Sequence, residues 1–252
     1  MHESLRMKAM VLAAGLGTRL GALTANRPKA LAEISGRTLL EITLLRLRSF
    51  GVSDVIINVH HFADMIVEYL KANDNFGMQI AISQEELLLD TGGGLRRAAW
   101  FFLRDGDGAD EPFLLHNVDV LSNIDLQRMI AVHKKKQALA TLAVQRRESS
   151  RQLLFDEALH LCGRQVGQER EVVRASAELQ PLAFSGIHVI SPRFLSMLEG
   201  DGAFSIIDSY LHVAARGETI LGFPADEYYW RDLGRRDDLR QAAEDAKSLS
   251  LI

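Results

Sequence analysis

At 252 residues, the chain is long enough to bury a sizeable core, as one large α/β domain or a core with a small appendage. Its 47% hydrophobic and 25% charged content is that of a globular protein, and a net charge of −4 argues against a nucleic-acid surface, which needs a basic excess. A lone cysteine, Cys162, excludes a disulfide framework and fits a cytoplasmic setting, and no apolar run reaches the roughly 18 residues of a membrane span.

Residues 1–6 are polar and too short for a signal peptide, so the ordered pattern is expected to start near Met7. Residues 8–13 read as a buried strand followed by a glycine-rich loop. Residues 39–50 have the 3.6-residue period of an amphipathic helix that stops at Gly51. Strands are expected over 54–59 and 79–83 with a helix over 63–71 between them, and a helix over 94–103 leads to a fourth strand over 112–116. This rhythm implies parallel strands joined by crossovers: a Rossmann-like, doubly wound α/β sheet, mixed but mainly parallel, with ligands beyond the strands' carboxyl ends. The second half is less regular. Strands over 139–144 and 182–190 bracket a polar segment, 146–180, that reads as hairpins or a flap. Helices near 193–198 and 206–215, short strands over 219–223 and 229–233, and a helix over 237–247 follow.

The polar residues of the first half gather at the expected ligand edge. The stretch Leu12-Ala13-Ala14-Gly15-Leu16-Gly17-Thr18-Arg19-Leu20 continues to Pro28-Lys29. Small residues and two glycines directly after a strand let backbone N–H groups approach a phosphate chain. A dinucleotide site is disfavoured: Leu20 holds the place of the third glycine, and the second strand ends Asn58-Val59-His60 without an acidic residue. Arg19 and Lys29, two cations beside a glycine loop, suit a triphosphate and its transition state. Three successive glycines, Gly92-Gly93-Gly94, cost more ordering entropy than a plain turn warrants.

These stretches resemble the sugar-1-phosphate nucleotidyltransferases, whose N-terminal signature is a Gly-x-Gly-Thr-Arg-Leu loop followed by a Pro-Lys pair. Gly15, Gly17, Thr18, Arg19, Leu20, Pro28 and Lys29 carry the match; Ala22 and Ala30 stand where the family usually has proline. The resemblance implies a nucleoside triphosphate on Ala13, Ala14, Gly15, Gly17 and Thr18, with Gln84, Thr91, Gly92, Gly93 and Asn117 near its base or ribose. It implies Asp119 and Asp232, the latter in Trp230-Arg231-Asp232-Leu233-Gly234, as ligands of Mg²⁺, which favours one or two carboxylates plus phosphate oxygens. Arg19, Lys29, Asp119 and Asp232 would then be the catalytic set. Val118 replaces the glycine usual before the first aspartate.

On the acceptor side, Phe184-Ser185-Gly186-Ile187 resembles a family strand whose glycine lets a sugar lie close. The family's acidic-Lys-Pro element is missing, and no lysine occurs between Lys136 and Lys247. If a cation holds an acceptor phosphate, it must then be an arginine, with a plain surface role for each candidate left open. Arg151 is preferred over Arg164, Arg170 and Arg174, since it precedes a strand-like segment. The implied organisation is a single domain over 7–252: a nucleotide-binding half at 7–136, a small β-rich acceptor-binding half at 137–234 and a C-terminal helix from 235. Its partners would be an NTP and a sugar 1-phosphate, not nucleic acid or membrane. The compact uridylyltransferases of N-acetylmuramate 1-phosphate and guanylyltransferases of mannose or heptose 1-phosphate look most similar. A cytidylyltransferase for a phosphocholine-type acceptor and a non-catalytic regulatory domain of the same fold remain open alternatives.

Overall fold

In the computed structural model, the described residues are 7–103 and 111–249; the polar 1–6 extension lies outside them. The elements in chain order are β1 (Met7–Leu12), β2 (Glu33–Ile34), β3 (Arg37–Thr38), α1 (Leu39–Ser49), β4 (Val52–Val59), α2 (Ala63–Ala72), β5 (Gln79–Gln84) and α3 (Asp90–Leu103). Next come β6 (Phe113–Asn117), β7 (Val120–Ser122), α4 (Leu126–Lys136), β8 (Ala140–Gln145), β9 (Arg151–Phe155), β10 (Leu161–Val166), β11 (Glu169–Val172) and β12 (Gln180–Ile190). The chain continues through α5 (Ile206–Ala215), β13 (Ile220–Pro224), β14 (Trp230–Asp232) and α6 (Arg236–Leu249). The architecture is mixed α/β with a central, largely parallel sheet.

The chain folds into two compact units whose segments interleave. The first comprises residues up to Leu89, Leu115–Ile124 and the chain from Tyr229 onward. In it β4 pairs in parallel with both β1 and β5, and β1 stands between β4 and β6. Seven of the eight β4 residues are buried, as expected of a parallel strand covered on both faces. Helix α1 begins where the Thr38 hydroxyl accepts the Glu41 N–H at 3.0 Å, and it ends before Gly51, whose φ of 85° a side chain would strain.

The second unit comprises Asp90–Leu114 and Asp125–Tyr228. Here β12 is antiparallel to β8 along residues 183–190 and to β9 along residues 180–182, and β9, β10 and β11 form an antiparallel meander where hairpins or a flap are expected over 146–180. β13 returns parallel to β8. No strand is expected from the sequence at β2, β3 or β7, and two expected helices differ from what is observed. Helix α3 starts at Asp90 rather than at residue 94, so its glycines lie inside the first turns. The segment near 193–198 is a 3-10 turn, Pro192–Met197, not an α-helix. No helix of the described residues is long and apolar enough to cross a membrane.

Two histidines are packed as neutral groups. His133 of α4 bridges the hydroxyls of Thr141 (3.0 Å) and Ser191 (3.1 Å), and burial, then Lys134, lowers its pKa to about 4. His116 of β6 is fully buried, and burial, then Arg46, also lowers it to about 4. Between the ordinary pKa of about 6.5 and 4 the unfolded chain binds protons that the folded chain refuses, so stability is complete above pH 6.5 and falls as acid is added, by on the order of 3 kcal/mol per histidine. Urea titrations from pH 7.5 to 4.5 should show this fall. His133→Gln should flatten the slope by up to about 1.4 kcal/mol per pH unit.

Candidate functional site

Within the first unit the chain runs from β1 outward through β4 to β5, then returns to β6 on the other side of β1. The crevice between the carboxyl ends of β1 and β6 is therefore the topological switch point, where open α/β sheets bind ligands. The Val118 N–H donates to the Leu12 carbonyl at 3.1 Å and holds the two strand ends together. A cleft of about 300 Å³ opens there, lined by Ala13, Gly15, Arg19, Lys29, Leu88 and Asp119 among others.

The glycine loop is shaped by its own backbone. Gly17 is left-handed, with φ 65°, and a Cβ there would lie 2.9 Å from the Lys29 Cβ, so no other residue fits unstrained. Its carbonyl accepts both the Leu20 N–H and the Thr24 hydroxyl at 2.9 Å, curling Thr18–Leu23 into a 3-10 turn. Arg236, opening α6, donates from Nε to the Leu20 carbonyl at 3.0 Å and clasps the loop from the far end of the sequence. Gly15 is different: a Cβ there would meet no protein atom within 4 Å. Space beside Gly15 opens into the cleft rather than onto a packed neighbour.

Lys29 follows Pro28 into a short 3-10 turn and is only 6% exposed. Its Nζ donates to Oδ2 of Asp119, the counter-charge that a buried ammonium requires. Asp119 immediately precedes β7, and β7 pairs antiparallel with β14, placing Asp232 opposite Val120. The Leu233 N–H donates to the Asp119 carbonyl at 2.8 Å. A two-stranded ladder thus sets two aspartates more than a hundred residues apart in sequence at adjacent register positions. Asp232 Oδ1 accepts the Gly234 N–H at 2.7 Å, and a Cβ on Gly234 would lie 2.7 Å from the Arg19 Nη2. The guanidinium occupies the space that this glycine leaves. Among the described residues no group of three or more His, Cys, Asp or Glu could hold a metal alone. A pair of hard carboxylate oxygens fits a Mg²⁺ that takes its other ligands from phosphate and water.

The other expected contacts divide between the units. Ala14 is buried just past β1, Gln84 is exposed at the end of β5, and Asn117 closes β6 half-buried. The Ala13 N–H already donates to Asn58 Oδ1 at 2.7 Å, so Ala13 lines the cleft with that donor engaged. Thr91, Gly92 and Gly93 belong to the second unit. There the Gly92 and Gly93 N–H groups donate to the Phe204 carbonyl at 2.9 and 3.3 Å, the Thr91 hydroxyl accepts the Ile206 N–H, and a Gly92 Cβ would run into the Phe204 ring. Close helix packing is therefore one physical reason for that glycine run. Gly186, with φ 74°, sits at a register shift in β12, and Arg147 Nη2 donates to the neighbouring Phe184 carbonyl at 2.7 Å. Arg151 is exposed at the start of β9, whereas Arg164 is paired with both Glu171 and Asp208. Leu88, which no sequence motif marks, lines the cleft while 42% exposed; its one local signal is a leucine run in a polar loop.

Residues 8–153 match the family model described as Nucleotidyl transferase. The N-acetylmuramate alpha-1-phosphate uridylyltransferase of Caulobacter vibrioides is 32% identical over 236 residues, covering 90% of this chain and 91% of that one. A mannose-1-phosphate guanyltransferase of Yarrowia lipolytica is 27% identical over 233 residues, 92% of this chain but 62% of the relative. The solved structure of the inositol-1-phosphate CTP transferase from T. maritima shares the fold, with a TM-score of 0.73 at 17% identity over 97% of this chain and 96% of its own.

The two loop-end glycines make opposite predictions. Gly234→Ala should displace Arg19, whose Nη2 its Cβ would approach to 2.7 Å, and lower the melting temperature by several degrees, because the same Cβ would stand 2.5 Å from Asp232 Oδ1, which the Gly234 N–H holds in place. Gly15→Ala should leave the melting temperature unchanged, yet weaken stabilisation by nucleoside triphosphates at least about tenfold in apparent Kd, the cost of blocking a close approach. Thermal shift with and without nucleotide reads both.

Proposed function

The chain belongs to the nucleotidyl transferase family, and from that premise we propose that it transfers a nucleotidyl group from an NTP to a sugar 1-phosphate, releasing pyrophosphate, with Mg²⁺ as cofactor. The observation that carries this reading is the convergence of Arg19, Lys29, Asp119 and the Asp232–Gly234 turn on one glycine loop at the switch point.

In the proposed reaction an oxygen of the sugar phosphate attacks the α-phosphorus in line, and the bond to the bridging oxygen of the β-phosphate breaks. Pyrophosphate leaves, and no covalent enzyme intermediate is needed. What the chain must supply is position and compensating charge. Arg19 serves the β- and γ-phosphates that depart. Lys29, with three donors and one of them on Asp119, serves the α-phosphate. Asp119 and Asp232 hold Mg²⁺, which when bound neutralises charge on the phosphate oxygens. The Val118–Leu12 and Leu233–Asp119 backbone bonds keep these groups from drifting apart. Gly186 and an arginine of the second unit, Arg151 first, serve the acceptor. Arg164 is the weakest of the arginine candidates, since two carboxylates already neutralise it. The relatives support a uridylyl or guanylyl donor.

A pyrophosphate-release matrix of four NTPs against several sugar 1-phosphates tests the reading. UTP or GTP with a hexose-type 1-phosphate should give turnover that EDTA stops. Asp119→Asn removes the counter-charge of buried Lys29 and should lower the melting temperature; assayed well below that transition, where the variant is still folded, it should also lower turnover by at least about a thousandfold, a loss of charge at the reacting phosphates. Undiminished activity in that variant overturns the assignment, and release only with CTP and a phosphocholine-type acceptor would replace the sugar.

A further inference from the structure

Behind the cleft lies a polar chain that the proposed chemistry does not use. Asn58, at the end of β4, and Glu85, just past the end of β5, are each only 2% exposed. Asn58 Oδ1 accepts the Ala13 N–H at 2.7 Å, and Asn58 Nδ2 donates to Glu85 Oε1 at 2.8 Å. The second carboxylate oxygen, Oε2, accepts the Leu89 N–H at 3.0 Å. The Glu85 backbone is also fixed, its N–H donating to the Val59 carbonyl at 2.8 Å and its own carbonyl accepting His60 Nδ1 at 2.9 Å. Among the described residues no cation pairs with Glu85. A buried carboxylate without a cation is costly, and here N–H donors alone satisfy it.

The chain has only one possible direction. The Ala13 amide can only donate, so the Asn58 oxygen must face it and the Asn58 amide hydrogens must face the carboxylate. Each end of this chain reaches the cleft. Ala13 lines it directly, and Leu88, the residue before Leu89, lines it on the loop over 86–89. A core-filling role would need neither an unpaired charge nor a route that begins and ends beside the same cleft.

We propose that Asn58 and Glu85 are positioning residues that couple the loop over 86–89 to the phosphate-side loop at Ala13–Gly17, so that the fit of the nucleotide's base end sets the geometry offered to its phosphates. This rests on nucleotide binding in the cleft, as proposed above. Glu85 touches no reacting atom; it acts through Leu89 on one side and through Asn58 on Ala13 on the other.

A charge swap tests the coupling. Glu85→Gln has one acceptor oxygen for two donors, so one hydrogen bond is lost and an amide faces a donor. Asn58→Asp alone places two carboxylates together. In the double variant Asn58→Asp/Glu85→Gln every bond can re-form at unchanged net charge. The introduced aspartate accepts from Ala13 and from the amide of the introduced glutamine, whose oxygen accepts from Leu89. The readouts are the Kd of each NTP by calorimetry, KM and kcat for the preferred NTP, its preference over the next NTP, and KM for the acceptor. Glu85→Gln should raise NTP Kd and KM about tenfold and reduce the preference several-fold, with acceptor KM unchanged, as expected for one buried hydrogen bond to a charge. The double variant should return to within about twofold of the parent.

If Glu85→Gln lowers only the melting temperature, or if the swap rescues nothing, the coupling is wrong while the enzyme assignment stands. Should Glu85→Gln fail to fold, the double variant decides alone: parental Kd and preference support the relay, and loss of both overturns it. If the parent protein binds no NTP, the proposed function and the relay fall together.

Discussion

The ion pair between Lys29 and Asp119 is the constraint around which the first unit's cleft is built. A lysine side chain that is 6% exposed needs a counter-charge, and its partner stands ninety residues later, at the end of a different strand. Satisfying it forces the loop after β1 against the end of β6. The backbone bond from Val118 to Leu12 adds a second tie at the same place. Once those strand ends are fixed, β7 follows Asp119 directly and pairs with β14, and Asp232 arrives beside Asp119 as a consequence of register. Arg19, Lys29, Asp119 and Gly234, two residues past Asp232, therefore line one cleft.

The glycines around this cleft solve different problems. Gly17 supplies a left-handed turn beside Lys29, and Gly234 leaves room for the Arg19 guanidinium. Gly92 lets α3 approach Phe204 in the second unit. Gly15 has no such neighbour: it borders open space in the cleft, so packing does not account for its missing side chain. A glycine-rich signature thus mixes turn geometry, close packing and ligand access, and only the surroundings of each Cα separate them.

A similar division appears among the cations. Arg236 is spent on the carbonyl of Leu20, Arg231 on Asp245, and Arg164 on two carboxylates. Exposed arginines such as Arg151 keep the reach to meet a ligand. Charge alone does not distinguish a structural clasp from a phosphate contact; partners do.

The sequence by itself determined the α/β alternation, the bounds of α1, α2, α5 and most strands, and the motif from Gly15 to Lys29, because periodicity and local signatures are short-range properties of the chain. Through resemblance it also offered Asp119 and Asp232 as a metal-binding pair, and the β7–β14 ladder sets the two at adjacent register positions. It missed the start of α3, since Gly92–Gly94 have poor helix propensity and are held helical by the Phe204 carbonyl and the Thr91–Ile206 bond. It misjudged 193–198 as an α-helix where Pro192 opens only a 3-10 turn. The route Ala13–Asn58–Glu85–Leu89 was equally illegible, because strands far apart in sequence become neighbours only once the sheet order is set. The residue types able to do the chemistry were written locally. Which of them share one buried, low-dielectric place was decided by long-range strand pairing, and only the tertiary structure carries that.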